Sequence, residues 1–262
     1  MTQTPVVSVF MTVYNGERYL TEAIASIQQQ TLQDFELIIV NDGSTDRTQE
    51  ILFVAQTDPR IKVVSTPRLG RARALNIAWR ETRGKYVANL DADDRSEPMR
   101  LEKQVAFLER HPEVGMLSTD SILYYEDTGE QKEARLPCTS AELRHELVRY
   151  CRIVHSSVMM SRHALQDVGG YNEAFRVAID HELWVRIARR FELANLPHIL
   201  TVRRMHRQRY FRNEITTWDR ILAVMKVRSR AWWSFSREIP ELRFVVIDPI
   251  VKFSYRGLRF GR

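Results

Sequence analysis

Two cysteines, Cys138 and Cys151, are all that 262 residues contain. That is too few for a disulfide framework or a zinc site, so a reducing, cytoplasmic setting fits, with both as ordinary semi-buried side chains. Neither G-x-G-x-x-G nor G-x-x-x-x-G-K-[ST] occurs, which removes the dinucleotide fingerprint and the P-loop as readings of any nucleotide chemistry. No stretch approaches the ~20 apolar residues of a spanning helix. The start, MTQTPVVSVF, lacks a basic segment followed by a long apolar one, so no secretory signal is read there. Repeats and low-complexity segments are also missing. What is left is a chain long enough for one large domain with a good core, or for a domain plus a smaller extension.

Hydrophobic content of 44% and charged content of 27% are those of a folded protein. The net charge of +6 is unevenly placed: Arg203 to Arg262 holds fifteen Lys plus Arg against five Asp plus Glu, and the first 202 residues hold 24 against 28. The basicity belongs to the tail, whose partner need not be that of the main body.

Val6 to Val13 is an apolar, β-branched run of the kind found in a parallel strand covered on both faces. It ends in Tyr14-Asn15-Gly16, after which Tyr19, Leu20, Ala23, Ile24 and Ile27 recur at helical spacing. The unit repeats: a strand over Phe35–Val40 ends in Asn41-Asp42-Gly43-Ser44, where Ser44 or Thr45 can cap a helix carrying Ile51, Leu52 and Val54. A third strand over Ile61–Val64 leads to a helix opened by Gly70 and closed by Gly84. The fourth strand is KYVANLDADD, Lys85 to Asp94. Four strands alternating with three helices make a nucleotide-binding type of α/β half-domain. Beyond it the pattern predicts a helix over Pro98–Arg110, strands over Val114–Ser118 and Ile122–Tyr125, and a mobile loop over Glu126–Pro137. A helix over Ala141–Tyr150, a strand over His155–Met160, a helix over Arg162–Val168, an amphipathic helix over Asp180–Phe191 and a last strand over Leu193–Val202 complete the body.

The fourth strand ends in three carboxylates, Asp91, Asp93 and Asp94. In open α/β sheets ligands collect at the carboxyl ends of strands. Like charges so close raise one another's pKa unless a cation or several donors neutralise them, and oxygen-only ligands point to Mg2+ or Mn2+ completed by a diphosphate. A solvated Asp-rich turn is the plain alternative.

In order and spacing, VSVFMTVYN, QTLQDFELIIVNDGSTD, GRARALN, GKYVANLDADD, VGGYNEAF, IDHELWVRIA and RRMH resemble the family 2 glycosyltransferases, inverting enzymes of the A-type glycosyltransferase fold. The resemblance covers about Val6 to His206. It implies a single α/β, Rossmann-like nucleotide-diphospho-sugar transferase domain with a mixed central sheet over residues 1–212, with a nucleotide-binding half at about 1–94 and an acceptor half at about 95–212. A basic helical extension over 213–262 follows. It further implies that Thr12, Val13 and Tyr14 wrap the base and ribose of a nucleotide sugar, expected to be a UDP-sugar, and that Asp42 accepts a hydrogen bond from the base. An Asp before Gly is equally at home as a turn former. Arg71 and Arg73, at the start of the third helix, are candidates for holding the diphosphate and equally ordinary as solvated helix residues; the family often has an Arg where this chain has Leu75, just before Asn76. Asp91-Ala92-Asp93 matches the Asp-x-Asp motif: Asp93 as metal ligand, Asp91 on the ribose or the metal, Asp94 in outer support, and His206 as a late ligand near the metal or diphosphate.

Asp180 matches the family's catalytic base, which deprotonates the acceptor hydroxyl of a saccharide or lipid-linked glycan. As a helix N-cap it would be equally ordinary. The family's preceding acidic residue is Ile179 here. With Leu75, that departure leaves room for a non-catalytic nucleotide-sugar-binding or membrane scaffold protein of the same fold. His155, Ser156 and Ser157 resemble a segment near the acceptor, and Trp184 reads as core.

The tail mixes Trp218, Trp232, Trp233, Phe235, Phe244, Phe253, Tyr255 and Phe260 with arginines. Such a mixture suits an anionic membrane surface, peripheral on the inner face of the cell membrane, or a pair of packed helices with a solvated basic face. Nucleic acid could also attract this charge but ranks lower, and no nucleic-acid partner is expected, because the body is acidic and carries no recognised nucleic-acid module.

Overall fold

In the computed structural model, residues 4–149, 151–206 and 217–236 are described. Parallel strands β1 (Val7–Val13), β2 (Phe35–Asp42), β3 (Ile61–Thr66) and β4 (Tyr86–Asn89) alternate with α1 (Leu20–Gln28), α2 (Thr48–Ala55) and α3 (Arg71–Arg80). The two-residue β5 (Arg95–Ser96), α4 (Arg100–Leu108), β6 (Val114–Tyr125) and β7 (Gln131–Ala134) follow. After α5 (Ser140–Arg149) come a 3-10 turn (His155–Ser157), β8 (Met159–Ser161), α6 (Arg162–Val168), α7 (Ile179–Ala188) and β9 (Glu192–Met205). The last described element is α8 (Thr217–Phe235). All nine strands form one mixed sheet in the order β3-β2-β1-β4-β8-β6-β9-β5, with β7 on the outer part of β6.

Strands β1 and β2 are buried except at Thr12 because helices cover both faces of the sheet. One core, with Phe10, Ile38, Leu75 and Trp184, lies under α3, α5 and α7; the other, with Met11, Ile24, Leu37 and Leu101, lies under α1 and α4. Between β4 and β6 sits β8, antiparallel to both, with Met159 in register with Ala88 on one side and Leu117 on the other. The fully buried Arg100 braces this junction, donating to the carbonyls of Asn89 and Val158.

Several expectations are corrected. The two strands predicted over Val114–Ser118 and Ile122–Tyr125 are a single strand, since the polar Ser118 to Ser121 stretch is buried and bonded rather than turned. Asp120, for example, accepts from Asn195 and from the Leu136 N–H. Glu126–Pro137 is no loose loop, because residues 131–134 pair antiparallel with β6. The strand predicted over His155–Met160 starts as a 3-10 turn. Neither Ser44 nor Thr45 caps α2; Ser44 accepts from the Asn15 N–H, and Asp46 instead holds the Thr48 N–H and hydroxyl. Cys138 is exposed rather than semi-buried, and α7 stops at Ala188. Tyr150 lies outside the described residues, as do Phe244, Phe253, Tyr255 and Phe260.

Candidate active site

A cleft of about 620 Å³ opens over the carboxyl ends of β1, β2 and β4. Thr12, Val13, Tyr14, Asp42, Arg71, Asp91, Asp93 and His206 all line it, as do the loop from Asn15 to Tyr19, Asp46 and Arg68. The loops after β1 and β2 brace each other: Asn15 accepts from the Thr45 N–H, and Gly16 N–H donates to Thr48.

Asp42 is only 2% exposed. Its Oδ1 accepts from the Leu69 N–H at 2.6 Å and its Oδ2 from the Gly70 N–H at 3.0 Å and Arg68 at 3.1 Å. The side chain thus anchors the loop into α3 while reaching the cleft, with about one of a carboxylate's four acceptor positions left. Gly43 makes this approach feasible: its φ is +72°, and a Cβ there would lie 2.6 Å from the Arg68 nitrogen. Arg68 in turn stacks 3.3 Å over the ring of Tyr14, a cation–π contact at the mouth of the cleft. The sequence reading missed Arg68; its one signal is its place just ahead of Gly70 and α3.

Arg71 and Arg73 part company. Two residues apart on a helix turn side chains by about 200°, so both cannot face one cleft. Arg71 points in and donates to Asp91 Oδ1 at 2.8 Å, whereas Arg73 points out to Glu173. Leu75 is buried, and Asn76 grips the backbone of Tyr171, donating to its carbonyl and accepting its N–H.

Around Asp91 the partners converge. Its Oδ1 meets Arg71, Asn89 at 3.2 Å and Nδ1 of His155 at 3.0 Å, and its N–H donates to Ser156. Burial alone would raise the carboxyl, but the Arg71 guanidinium and His155 hold it well below the usual range. Burial works against the Arg71 charge too, and Asp91, Asp180 and Asp93 outweigh it and raise its pKa. The other ring nitrogen of His155 meets the Tyr171 hydroxyl at 2.8 Å. Burial, then the charge of Asp91, pushes that phenol well up, so it stays protonated.

Asp91, Asp93 and Asp94 bring one oxygen each within 4.8 Å of one another. Asp94 is buried away from the cleft, accepting from Ser156 and from the Arg204 N–H. Asp93 stands in the cleft wall with Oδ2 at 2.9 Å from Nε2 of His206. The donor set, hard carboxylate oxygens beside an imidazole, fits Mg2+ or Mn2+, and His206 Nδ1 is buried with no hydrogen-bond partner. Arg204, also missed, donates to the Asp93 carbonyl and to Glu22, tying β9 to the acidic turn and α1.

Asp180 is outside the cleft wall, in the first turn of α7, and half-buried. It is not the cap: that position is Ala178, in left-handed backbone with φ 53° and no capping side chain. Among the described residues the carboxylate accepts only its neighbour's N–H, at His181, and its charge reaches Arg71. Trp184, one turn further, is fully buried as expected of core.

The family model for glycosyl transferase family 2 matches residues 8–169. The chain belongs to this family. Among its relatives, an uncharacterized glycosyltransferase of Haemophilus influenzae is 32% identical over 79% of this chain and 67% of its own length. The amylovoran biosynthesis glycosyltransferase AmsE of Erwinia amylovora is 30% identical, covering 74% of each. Of solved structures, S. aureus TarS in complex with UDP-GlcNAc superposes with a TM-score of 0.72 at 18% identity, over 88% of this chain and 66% of that one. The mannosyltransferase PcManGT of Pyrobaculum calidifontis, in complex with GDP-Man and Mn2+, gives 0.61 at 19% identity over 98% and 81%. These two similarities establish the A-type glycosyltransferase fold. The chain spans about two thirds of the length of several of these relatives.

Proposed function

We propose that this family 2 glycosyltransferase moves a sugar, with inversion and metal assistance, from a UDP-sugar to a hydroxyl of a saccharide or lipid-linked glycan during cell-surface polysaccharide assembly. The observation that carries this reading is the convergence of Tyr14, Asp42, Arg71, Asp91, Asp93 and His206 on one cleft at the strand ends. Solved relatives of the fold hold UDP-GlcNAc or GDP-Man with Mn2+, and AmsE is named for amylovoran biosynthesis.

Thr12, Val13 and Tyr14 would take the base and ribose, with the last acceptor position of Asp42 meeting a base N–H. Asp93 and His206 would hold the metal, with Asp91 beside them and Asp94 bracing the turn. A bound Mg2+ or Mn2+ would offset negative charge on the diphosphate as it leaves. Arg71, kept charged by three carboxylates, adds to that field, while Arg73, turned to Glu173, takes no part. Asp180 would accept the proton of the acceptor hydroxyl as its oxygen attacks the anomeric carbon and the bond to the diphosphate oxygen breaks. Residues 1–94 form the donor half, 95–212 the acceptor half, and 213–262 the extension.

A thermal-shift series with UDP, GDP and their sugars, with Mn2+ or a chelator, tests the donor assignment, because a ligand that binds only the folded state raises Tm. The expected result is a Mn2+-dependent rise with UDP ligands. Equal shifts in the chelator, or none with any nucleotide, would reject it.

A further inference from the structure

One helix of this molecule is apolar on two faces. Val227, Ala231 and Phe235 of α8 are buried in the core beside α5 and α7, and Arg228 donates to the Val148 carbonyl, so the helix is docked on the body. No described residue covers the opposite face. Trp218, Leu222, Met225 and Trp233 are 73%, 62%, 40% and 76% exposed. With the exposed Ser229 they follow one another at spacings of four, three, four and four, a single line along the helix. Lys226 and Arg230 flank this line on one side, with the exposed Asp219 nearer the start of the helix.

We infer that the outer face of α8 is a docking surface for an anionic lipid bilayer, with the two tryptophans entering the interface and the flanking cations meeting lipid phosphates. A stripe of bulky apolar side chains edged by cations matches a bilayer surface in shape and charge: aromatic rings favour the headgroup level and basic groups the negative potential there. The body, with more acidic than basic residues before Arg203, would itself be repelled by such a surface, so the helix sets which side faces the lipid. That side adjoins the acceptor half. Lys226 and Arg230 lie 5.3 and 5.5 Å from the ring of Phe175, in the segment entering α7, and Arg230 pairs with Glu182, two residues after Asp180. The inference deepens the proposed function, on which its last step rests: a glycan carried on a membrane lipid would reach Asp180 from the face that α8 presents to the bilayer.

The test is co-sedimentation of the full chain with vesicles of phosphatidylcholine plus phosphatidylglycerol, beside pure phosphatidylcholine vesicles. It is run on the wild type and on a Trp218→Ser, Trp233→Ser double variant, with Mn2+-dependent hydrolysis of UDP-sugars and size-exclusion profiles measured on the same samples. Both substituted side chains are exposed and outside the cleft, so folding and hydrolysis should be unchanged. Expected are binding to the anionic vesicles alone, weakening in high salt, and a loss of about tenfold in the double variant. The inference is overturned if the wild type fails to sediment, if the variant binds as well as the wild type, or if the substitutions convert a dimer to a monomer, which would make the stripe a self-association face. Because hydrolysis is read separately, vesicle binding can fail while the transferase reading stands, and the reverse.

Discussion

The first and second halves of the chain treat their carboxylates differently. At the ends of β2 and β4, Asp42, Asp91 and Asp94 are each held by two or more partners, among them Arg68, Arg71, His155, Ser156 and the backbone of residues 69, 70 and 204. In the second half, Asp180 takes, among the described residues, only the N–H of His181, two residues after Ala178 in left-handed backbone. The contrast follows from the work each group would do. Carboxylates that position a nucleotide or brace the turn around a metal must be fixed in advance, and neighbouring donors do this. A base must keep a lone pair open for the incoming proton, so bracing it with donors would defeat it.

The largest effect should come where the contrast is sharpest. Asp180→Asn is expected to lower kcat by about 10²–10⁴-fold while leaving donor affinity and Tm near wild type, as read by transfer kinetics beside nucleotide titration. Unchanged turnover would remove the base from this account. Asp93→Ala should weaken Mn2+-dependent nucleotide binding by on the order of 100-fold, and calorimetric binding that persists in a chelator would contradict the metal assignment.

Smaller effects sharpen the structural side. Gly170, with φ +75°, sits where a Cβ would lie 2.4 Å from Trp79 Nε1 and 2.8 Å from Asn76 Oδ1. Gly170→Ala should cost about 1–3 kcal/mol in urea unfolding, because the Trp79 indole and the Asn76 clasp on Tyr171 would have to shift. The smallest effect is acid-dependent. Folded Asp91 lies well below its ordinary value of 3.8, so its stabilising contribution is complete above that pH and fades as pH falls through the lower folded value. Asp91→Asn should therefore be less stable at neutral pH and show a flatter stability curve below about pH 4; an unaltered acid limb would show that Asp91 is not held as described.

Most of the first half could be read from residues because parallel strands buried on both faces write themselves as near-continuous apolar runs, as Val7–Val13 does apart from Ser8 and Thr12 and as residues 37–40 do. The acidic end of β4 and the turns around Tyr14 and Asp42 were legible for the same reason: the strand ends locate them. Much of the second half was not. Ser118 to Ser121 looks like a turn until Asn195, far along the chain, supplies its hydrogen bonds. Likewise nothing local tells that Arg71 turns inward and Arg73 outward, or that Arg204 reaches back to the Asp93 carbonyl, since those directions are set by packing between distant segments.

The three-residue β8 bears on how the molecule opens. Because Met159 is hydrogen-bonded into the sheet between Ala88 and Leu117, the strand cannot detach without breaking both borders at once. Amide exchange at Met159 and Met160 should then be among the slowest in the chain, and a nucleotide bound over β1 and β4 should slow exchange in β6 as well, making the two halves a single cooperative unit.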